Sequence, residues 1–263
     1  MVLSGGGIRG VAHIGFLRAL EEEGIAPTII SGSSSGAVIG ALYAAGYGWQ
    51  GILRFFQDNT FFSFSKYAFG KPGMMDTSKY RPLLEDYFPH DDFQSLQRRL
   101  YVTTSDLING ETRIYSEGPL IDTLLASCAV PGVFSPVTMN GIVHIDGGVT
   151  NNFPVEPLIG KCDYLIGVFV NPLRKIKASE LTSAFAVLER AFTMDRSGTS
   201  TRKFRHCDLL IAPQKLADYG MFSMSQINEI FEIGYEEAKQ VLINDRLKKQ
   251  ATDGRDKHVG AET

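Results

Sequence analysis

Thr-Ile-Ile-Ser-Gly-Ser-Ser-Ser-Gly-Ala-Val-Ile-Gly-Ala-Leu-Tyr-Ala-Ala, positions 28–45, decides how this chain folds. The β-branched start at Thr28, Ile29 and Ile30 predicts a short buried strand, and the Ala-rich apolar run after Gly36 predicts a closely packed helix. Between them stands Gly32-Ser33-Ser34-Ser35-Gly36, which fits a nucleophile elbow: a serine on a tight strand-to-helix turn, with flanking glycines that let the backbone approach closely. Ser34 is the central residue. The turn sets it at a helix N-terminus, where free N–H groups and the dipole favour negative charge on an attacking oxygen. A Gly/Ser-rich helix cap with no chemistry is the other reading of the same five residues.

Upstream, Val2 and Leu3 begin a brief strand, followed by Gly5-Gly6-Gly7-Ile8-Arg9-Gly10 and an amphipathic segment at 11–23. Ile14, Leu17 and Leu20 recur there at helical spacing, and Gly24 reads as the C-cap. The first 45 residues therefore form a β-α-β-α unit, which calls for a parallel sheet. The glycine loop and the elbow follow neighbouring strands at the same sheet edge.

Downstream, a helix is expected at 49–59, then an irregular stretch at 60–75 that crowds Phe61, Phe62, Phe64, Tyr67 and Phe69 with Lys66 and Lys71 interleaved. Its aromatics read either as core or as a lid or acyl-chain pocket that touches a lipid surface. A short helix at 77–87 should be capped by Asp76 or Thr77. Asn109-Gly110 predicts a type I′ hairpin between strands at 100–107 and 112–115, and Asn140-Gly141 predicts a second at 136–145 that runs into Asp146-Gly147-Gly148. The apolar run at 164–170 reads as a strand buried on both faces, with a further strand near 209–212. Helices are expected at 119–127, 181–195 and 226–247, and the polar residues 248–263 as a disordered tail.

The composition, 263 residues of which 44% are hydrophobic, suits one large domain of a soluble globular protein, assigned to 1–247. With 26 Lys and Arg against 29 Asp and Glu and no basic run, nucleic-acid binding is disfavoured. Cys128, Cys162 and Cys207 are odd in number and widely spaced, so they read as thiols of a reducing compartment rather than a disulfide framework or zinc site. A cytoplasmic location is the expectation.

The glycine loop matches G-x-G-x-x-G, but the next strand ends without the acidic residue a ribose would need, so nucleotide binding is disfavoured. Adjacent glycines can instead present N–H donors to a tetrahedral oxyanion, and losing one such donor costs about 10² to 10³ in turnover. Arg9 could add positive charge for a substrate phosphate or form a structural ion pair. Among the histidines, His13 reads as a packing residue, and His90 and His258 sit in polar surroundings. His144 shares a strand face with Asp146, and His206 follows it in chain order, so both are weighed as triad bases. Asp146 ends a strand before two glycines, which suits an acid aimed at a neighbouring loop.

These motifs, with Ala126-Ser127, Ala129, Pro131, Phe134, Pro136, Asn151-Asn152 and Pro154, occur in one order, and in that order the chain resembles the patatin-like phospholipases. The resemblance implies a three-layer α/β/α sandwich with a mostly parallel central sheet. It implies a Ser/Asp dyad without histidine: Ser34 as nucleophile, Asp146 as proton acceptor, residues 5–10 as oxyanion hole, and Gly32, Gly36, Gly147 and Gly148 as supports. Hydrolysis of lipid acyl esters would need neither metal nor cofactor, and transient contact with a membrane surface would bring the substrate. The competing reading is a regulatory or interaction protein on the same scaffold with little turnover.

Overall fold

A computed structural model describes residues 1–59, 67, 68, 70, 72–222 and 224–259, and their side chains except at 185 and 246–259. The first two strands are β1 (Val2–Leu3) and β2 (Ile29–Ser33), joined through α1 (Val11–Glu22) and followed by α2 (Ser35–Ala44) and α3 (Trp49–Asp58). A 3₁₀ turn at Thr77–Tyr80, capped by the Asp76 carboxylate on Ser78 N–H, runs into the short α4 (Arg81–Glu85). The hairpin β3 (Arg99–Asp106) and β4 (Glu111–Tyr115) precedes α5 (Leu120–Ser127), and a second hairpin joins β5 (Val137–Met139) to β6 (Ile142–Asp146). Then come β7 (Ile166–Val168), α6 (Ala184–Thr201), β8 (Leu209–Ile211) and α7 (Ile227–Val259). The last helix runs past position 247, where the sequence placed the start of a tail. Among the described residues no helix is long and apolar enough to cross a membrane.

The eight strands form one sheet whose pairing runs β5-β6-β3-β2-β1-β7-β8, with β4 also on β3. β3, β2, β1, β7 and β8 are parallel, as the β-α-β start requires, while β4, β5 and β6 enter antiparallel through hairpins. Along β3, Thr103 pairs with Ser33 and Thr104 with Asp146, while β4 lies alongside residues 102–106. β4 thus fills one edge of β3, and β2 and β6 lie head to head along the other. This register brings the end of β2 and the end of β6 within one residue of each other.

Alternation along the strands sends Leu3, Ile30, Leu100 and Val102 into a large core under α1, α2, α3, α5 and α7, and sends Val2 and Tyr101 to the opposite face. There Phe153, Val155, Leu158 and Phe169 build a second, thinner layer, with the Phe153, Phe169 and Phe204 rings 5.1–6.1 Å apart. Burying each large apolar side chain contributes roughly 1.5–3 kcal/mol. Every residue of α2 is buried, which explains its small residues. A Cβ at Gly36 would stand 2.5 Å from both Leu3 O and Ser4 O, so only glycine lets the start of α2 cross the end of β1.

Two local expectations are corrected. The first hairpin turn is not type I′: it spans four residues, Gly110 has φ 70°, and Asn109 is not left-handed. The Asp106 carboxylate takes the N–H groups of Ile108 and Asn109 at 3.0 Å each, which shapes a longer loop. The second turn fits type I′, with Asn140 at φ 50° and Gly141 at φ 78°. The strand expected over 164–170 is confined to β7, because its neighbours β1 and β8 offer partners to only two or three residues.

Candidate active site

Ser34 follows β2 and caps α2, with φ 53° and ψ −127°, and only 3% of it is exposed. A non-glycine residue held there stores about 1–3 kcal/mol of strain and persists only where its surroundings dictate it. The chief restraint comes from α5: Ser127 Oγ accepts the Ser34 N–H at 2.8 Å and donates to Thr103 O at 2.7 Å. The turn is thereby tied to the adjacent strand β3.

Asp146 is fully buried at the end of β6. Its own N–H donates to Ala129 O at 2.9 Å, and its Oδ1 accepts Gly148 N–H at 2.7 Å. A Cβ at Gly147 would lie 2.1 Å from Thr103 O, so glycine is what allows the acid loop to turn this tightly against β3. The Ser34 hydroxyl is close enough to favour the charged form of Asp146, yet no hydrogen bond closes between them: Oδ2 has no hydrogen-bond partner. Burial pushes the Asp146 carboxyl above the ordinary carboxylate value, with Arg196, Ser34 and Gly148 N–H opposing the rise.

The glycine loop lies against this pair. Gly5 packs on Ser34, since a Cβ there would stand 3.1 Å from the serine Cβ. The loop donors expected for an oxyanion are not all free. Gly5 N–H donates to Asn152 O at 3.1 Å and Ile8 N–H to Met221 O at 2.9 Å, which commits both. Among the described residues, Gly6 N–H and Gly7 N–H have no protein acceptor. Gly5 O is gripped by the side-chain amides of Asn152 and Asn171. Gly10 lies against the Ser35 side chain, so the far end of the loop packs on α2. Arg9 is 4% exposed and pairs with Glu189 of α6 at 3.1 Å, which answers the structural half of its sequence reading. A pocket of about 280 Å³ is lined by Arg9, Glu189, Thr193 and Tyr219 among others, and neither Ser34 nor Asp146 lines it.

The histidines weighed as bases are occupied elsewhere. His144 Nδ1 meets Thr104 Oγ1 at 3.0 Å and its Nε2 meets Tyr115 Oη at 3.2 Å, while burial lowers its pKa. His206 is exposed beside Arg205. His13 is fully buried, with Nε2 on Ser4 O at 2.8 Å, and burial lowers its pKa to about 4. Phe61, Phe62, Phe64 and Phe69 lie outside the described residues.

Sequence reasoning missed three contributors: Asn171, Glu189 and Arg196. The Arg196 side chain is 2% exposed and reaches both Gly148 O, at 3.1 Å, and Asp146 Oδ1, at 3.3 Å. Its signal was the recurrence of Glu189, Thr193 and Arg196 at i, i+4 and i+7, one helical face. Cys128, at the end of α5, is a further close neighbour: burial first and then the Asp146 charge raise its thiol pKa well above the ordinary value. Ser34 and Asp146 thus lie close together in a buried site, with two loop amides that have no acceptor among the described residues and a buried cation behind the acid.

Residues 1–159 match a family model described as patatin-like phospholipase. An uncharacterized NTE family protein from Mycobacterium tuberculosis is 31% identical over 177 residues, which cover 65% of this chain and 48% of that protein. A lysophospholipase from Aspergillus fumigatus is 25% identical over 291 residues, covering 96% of this chain and 18% of the fungal protein. The chain therefore spans about half of the first relative and about a fifth of the second. Among solved structures, VipD from Legionella pneumophila superposes with a TM-score of 0.55 at 14% identity, over 92% of this chain and 66% of that one.

Proposed function

Because this chain belongs to the patatin-like phospholipase family, we propose that it hydrolyses acyl esters of lipids through a Ser34/Asp146 dyad. The observation that carries the reading is the β3 register, which sets Ser34 beside an aspartate with one carboxylate oxygen unpartnered. In the first step Ser34 Oγ attacks the ester carbonyl while its proton passes to Asp146 Oδ2. The carbonyl π pair moves to oxygen, and the resulting oxyanion is received by the N–H groups of Gly6 and Gly7. Collapse breaks the ester C–O bond, and the leaving alcohol takes the proton back from Asp146. Water then repeats the sequence on the acyl-enzyme, giving up a proton to the same oxygen and releasing the fatty acid and free Ser34. A carboxylate is a weak acceptor for a hydroxyl proton, so close placement in a dry site must supply what imidazole supplies elsewhere.

Two further observations bear on the substrate. No described histidine is engaged with Ser34 or Asp146 by hydrogen bonds, which favours the dyad over a triad. α6 carries Val187, Leu188 and Met194 at 43–53% exposure, an apolar outer face suited to a lipid surface. A binding protein with little turnover is favoured by one feature, the near-complete burial of Ser34. The experiment is labelling with a fluorophosphonate probe together with hydrolysis of a short-chain ester by the wild type, Ser34→Ala and Asp146→Asn. Signal in the wild type and loss in both folded variants is the expected result. Retained turnover in folded Asp146→Asn would overturn the dyad, and silence of the folded wild type toward both reagents would favour the binding protein.

A further inference from the structure

The two oxygens of an isolated carboxylate are equivalent, and those of Asp146 are not. Oδ1 accepts Gly148 N–H at 2.7 Å and Arg196 Nη2 at 3.3 Å, whereas Oδ2 accepts nothing. Arg196 comes from α6, far along the chain, and its guanidinium forks: Nε goes to Gly148 O at 3.1 Å and Nη2 to the carboxylate. It therefore grips both the acid and the loop that turns behind it. One helical turn earlier on the same face, Thr193 is buried, and at Glu189 the helix takes Arg9 of the glycine loop and the Met221 N–H. α6 thus bridges the two loops that flank Ser34.

We propose that Arg196 is the positioning residue of the dyad: it fixes the rotation of the Asp146 carboxylate with Oδ2 toward Ser34, and keeps that carboxylate charged so that it can accept the proton. The proposal rests on the reading of Ser34 as nucleophile and Asp146 as its base, and it adds the group that makes a fully buried aspartate usable as one. A carboxylate without solvent and without a cation takes up a proton, and a protonated aspartate accepts none from serine. The groups facing Asp146 are the Ser34 hydroxyl from the elbow, Gly148 N–H from its own loop, the Cys128 thiol from the end of α5 and Arg196 from α6. Arg9 stands further off, paired with Glu189. Among the described residues, Arg196 is the one cation against the acid, and it is the largest influence opposing the effect of burial.

Charge balance through the reaction gives the cation a second use. Before attack, Arg196 is matched by the carboxylate. When the Ser34 proton reaches Oδ2 and the Oγ–C bond forms, the negative charge moves to the ester oxygen, and the net charge of the site is unchanged. Arginine keeps its proton throughout, so it cannot short-circuit the transfer as a lysine or histidine could.

The test is the pH profile of kcat/KM for a soluble short-chain ester, measured on the full chain as wild type, Arg196→Gln and Arg196→Lys. In Arg196→Gln the acid limb should move to higher pH by a unit or more, so that activity relative to wild type falls progressively as pH is lowered through the limb, toward tenfold below both limbs. Arg196→Lys should hold the limb near its wild-type position while kcat drops, since it keeps the charge and loses the fork. A purely structural arginine would lower activity evenly across pH. An unmoved acid limb in folded Arg196→Gln overturns the proposal. If that variant does not fold, Arg196→Lys decides: a kcat lowered at least tenfold at unchanged KM, with the acid limb unmoved, supports the proposal, and a wild-type kcat, or a loss shared equally between kcat and KM, overturns it. Absence of Ser34-dependent hydrolysis in the wild type would instead overturn the functional reading on which the proposal stands.

Discussion

Replacing Ser127 by alanine removes the hydroxyl that accepts Ser34 N–H at 2.8 Å and donates to Thr103 O at 2.7 Å. Both bonds are buried, so the deletion leaves Ser34 N–H orphaned at a cost of about 1–3 kcal/mol, and the loss of the second bond adds roughly 0.5–1.5 kcal/mol. The sum, about 2–4 kcal/mol, corresponds to a fall in Tm of roughly 5–15 °C for a chain of this size. The same change removes the tether that holds Ser34 at φ 53°, and the strain stored there drives the turn toward an ordinary conformation. On the proposed reading of Ser34 as nucleophile, a shift of its hydroxyl by about 1 Å is worth on the order of 10² in rate. Two assays read the result: thermal unfolding by circular dichroism, and the second-order rate of fluorophosphonate labelling at a temperature where the variant is folded. A Tm within 1 °C of wild type, with labelling within about twofold, would refute the assignment of Ser127 as the elbow's restraint.

Two further outcomes follow from the geometry. His13 is buried and neutral, its pKa held down to about 4 chiefly by burial. The unfolded chain binds a proton there below about pH 6.5, so stability is complete above that value and is lost as pH falls toward 4, by about 2 kcal/mol at pH 5. Urea unfolding at pH 7.5 and 5 should show this difference in the wild type and lose it in His13→Gln, which keeps a donor for Ser4 O; equal slopes would reject it. On the outer face of α6, Val187→Ser combined with Met194→Ser should reduce hydrolysis of phospholipid vesicles several-fold and leave a short-chain soluble ester unaffected. Equal loss on both substrates would remove the membrane role from that face.

The local parts of the site were legible because glycine leaves few structural choices. Gly32 and Gly36 bracket a turn that no side chain could enter, and the strand-loop-helix order on either side set β1 next to β2. What brings Asp146 to Ser34 was not legible, since it depends on β3 accepting β2 and then β6 along one edge, which sets end to end two strands more than a hundred residues apart in the chain. Ser127 stood in a motif noticed from the sequence, but its task depends on facing the end of β2. Arg196 was hidden differently. It sits in a helix whose other faces carry exposed residues, and an arginine there reads as surface until the aspartate beneath it is known. The hairpin at Asn109-Gly110 misled because the Asp106 carboxylate captured backbone donors that a two-residue turn would have used otherwise.

The head-to-head meeting of β2 and β6 separates coarse from fine adjustment. Both strand ends are pegged to consecutive residues of β3, and strand positions change only in whole steps of about 3.3 Å, each of which also turns every side chain to the opposite face. The sheet therefore admits one working spacing and no intermediate ones. Tenths of an ångström can be set only by the groups that tether the two ends, Ser127 behind the serine and Arg196 behind the acid. Those are the positions at which this fold would tune its rate without redesigning its frame.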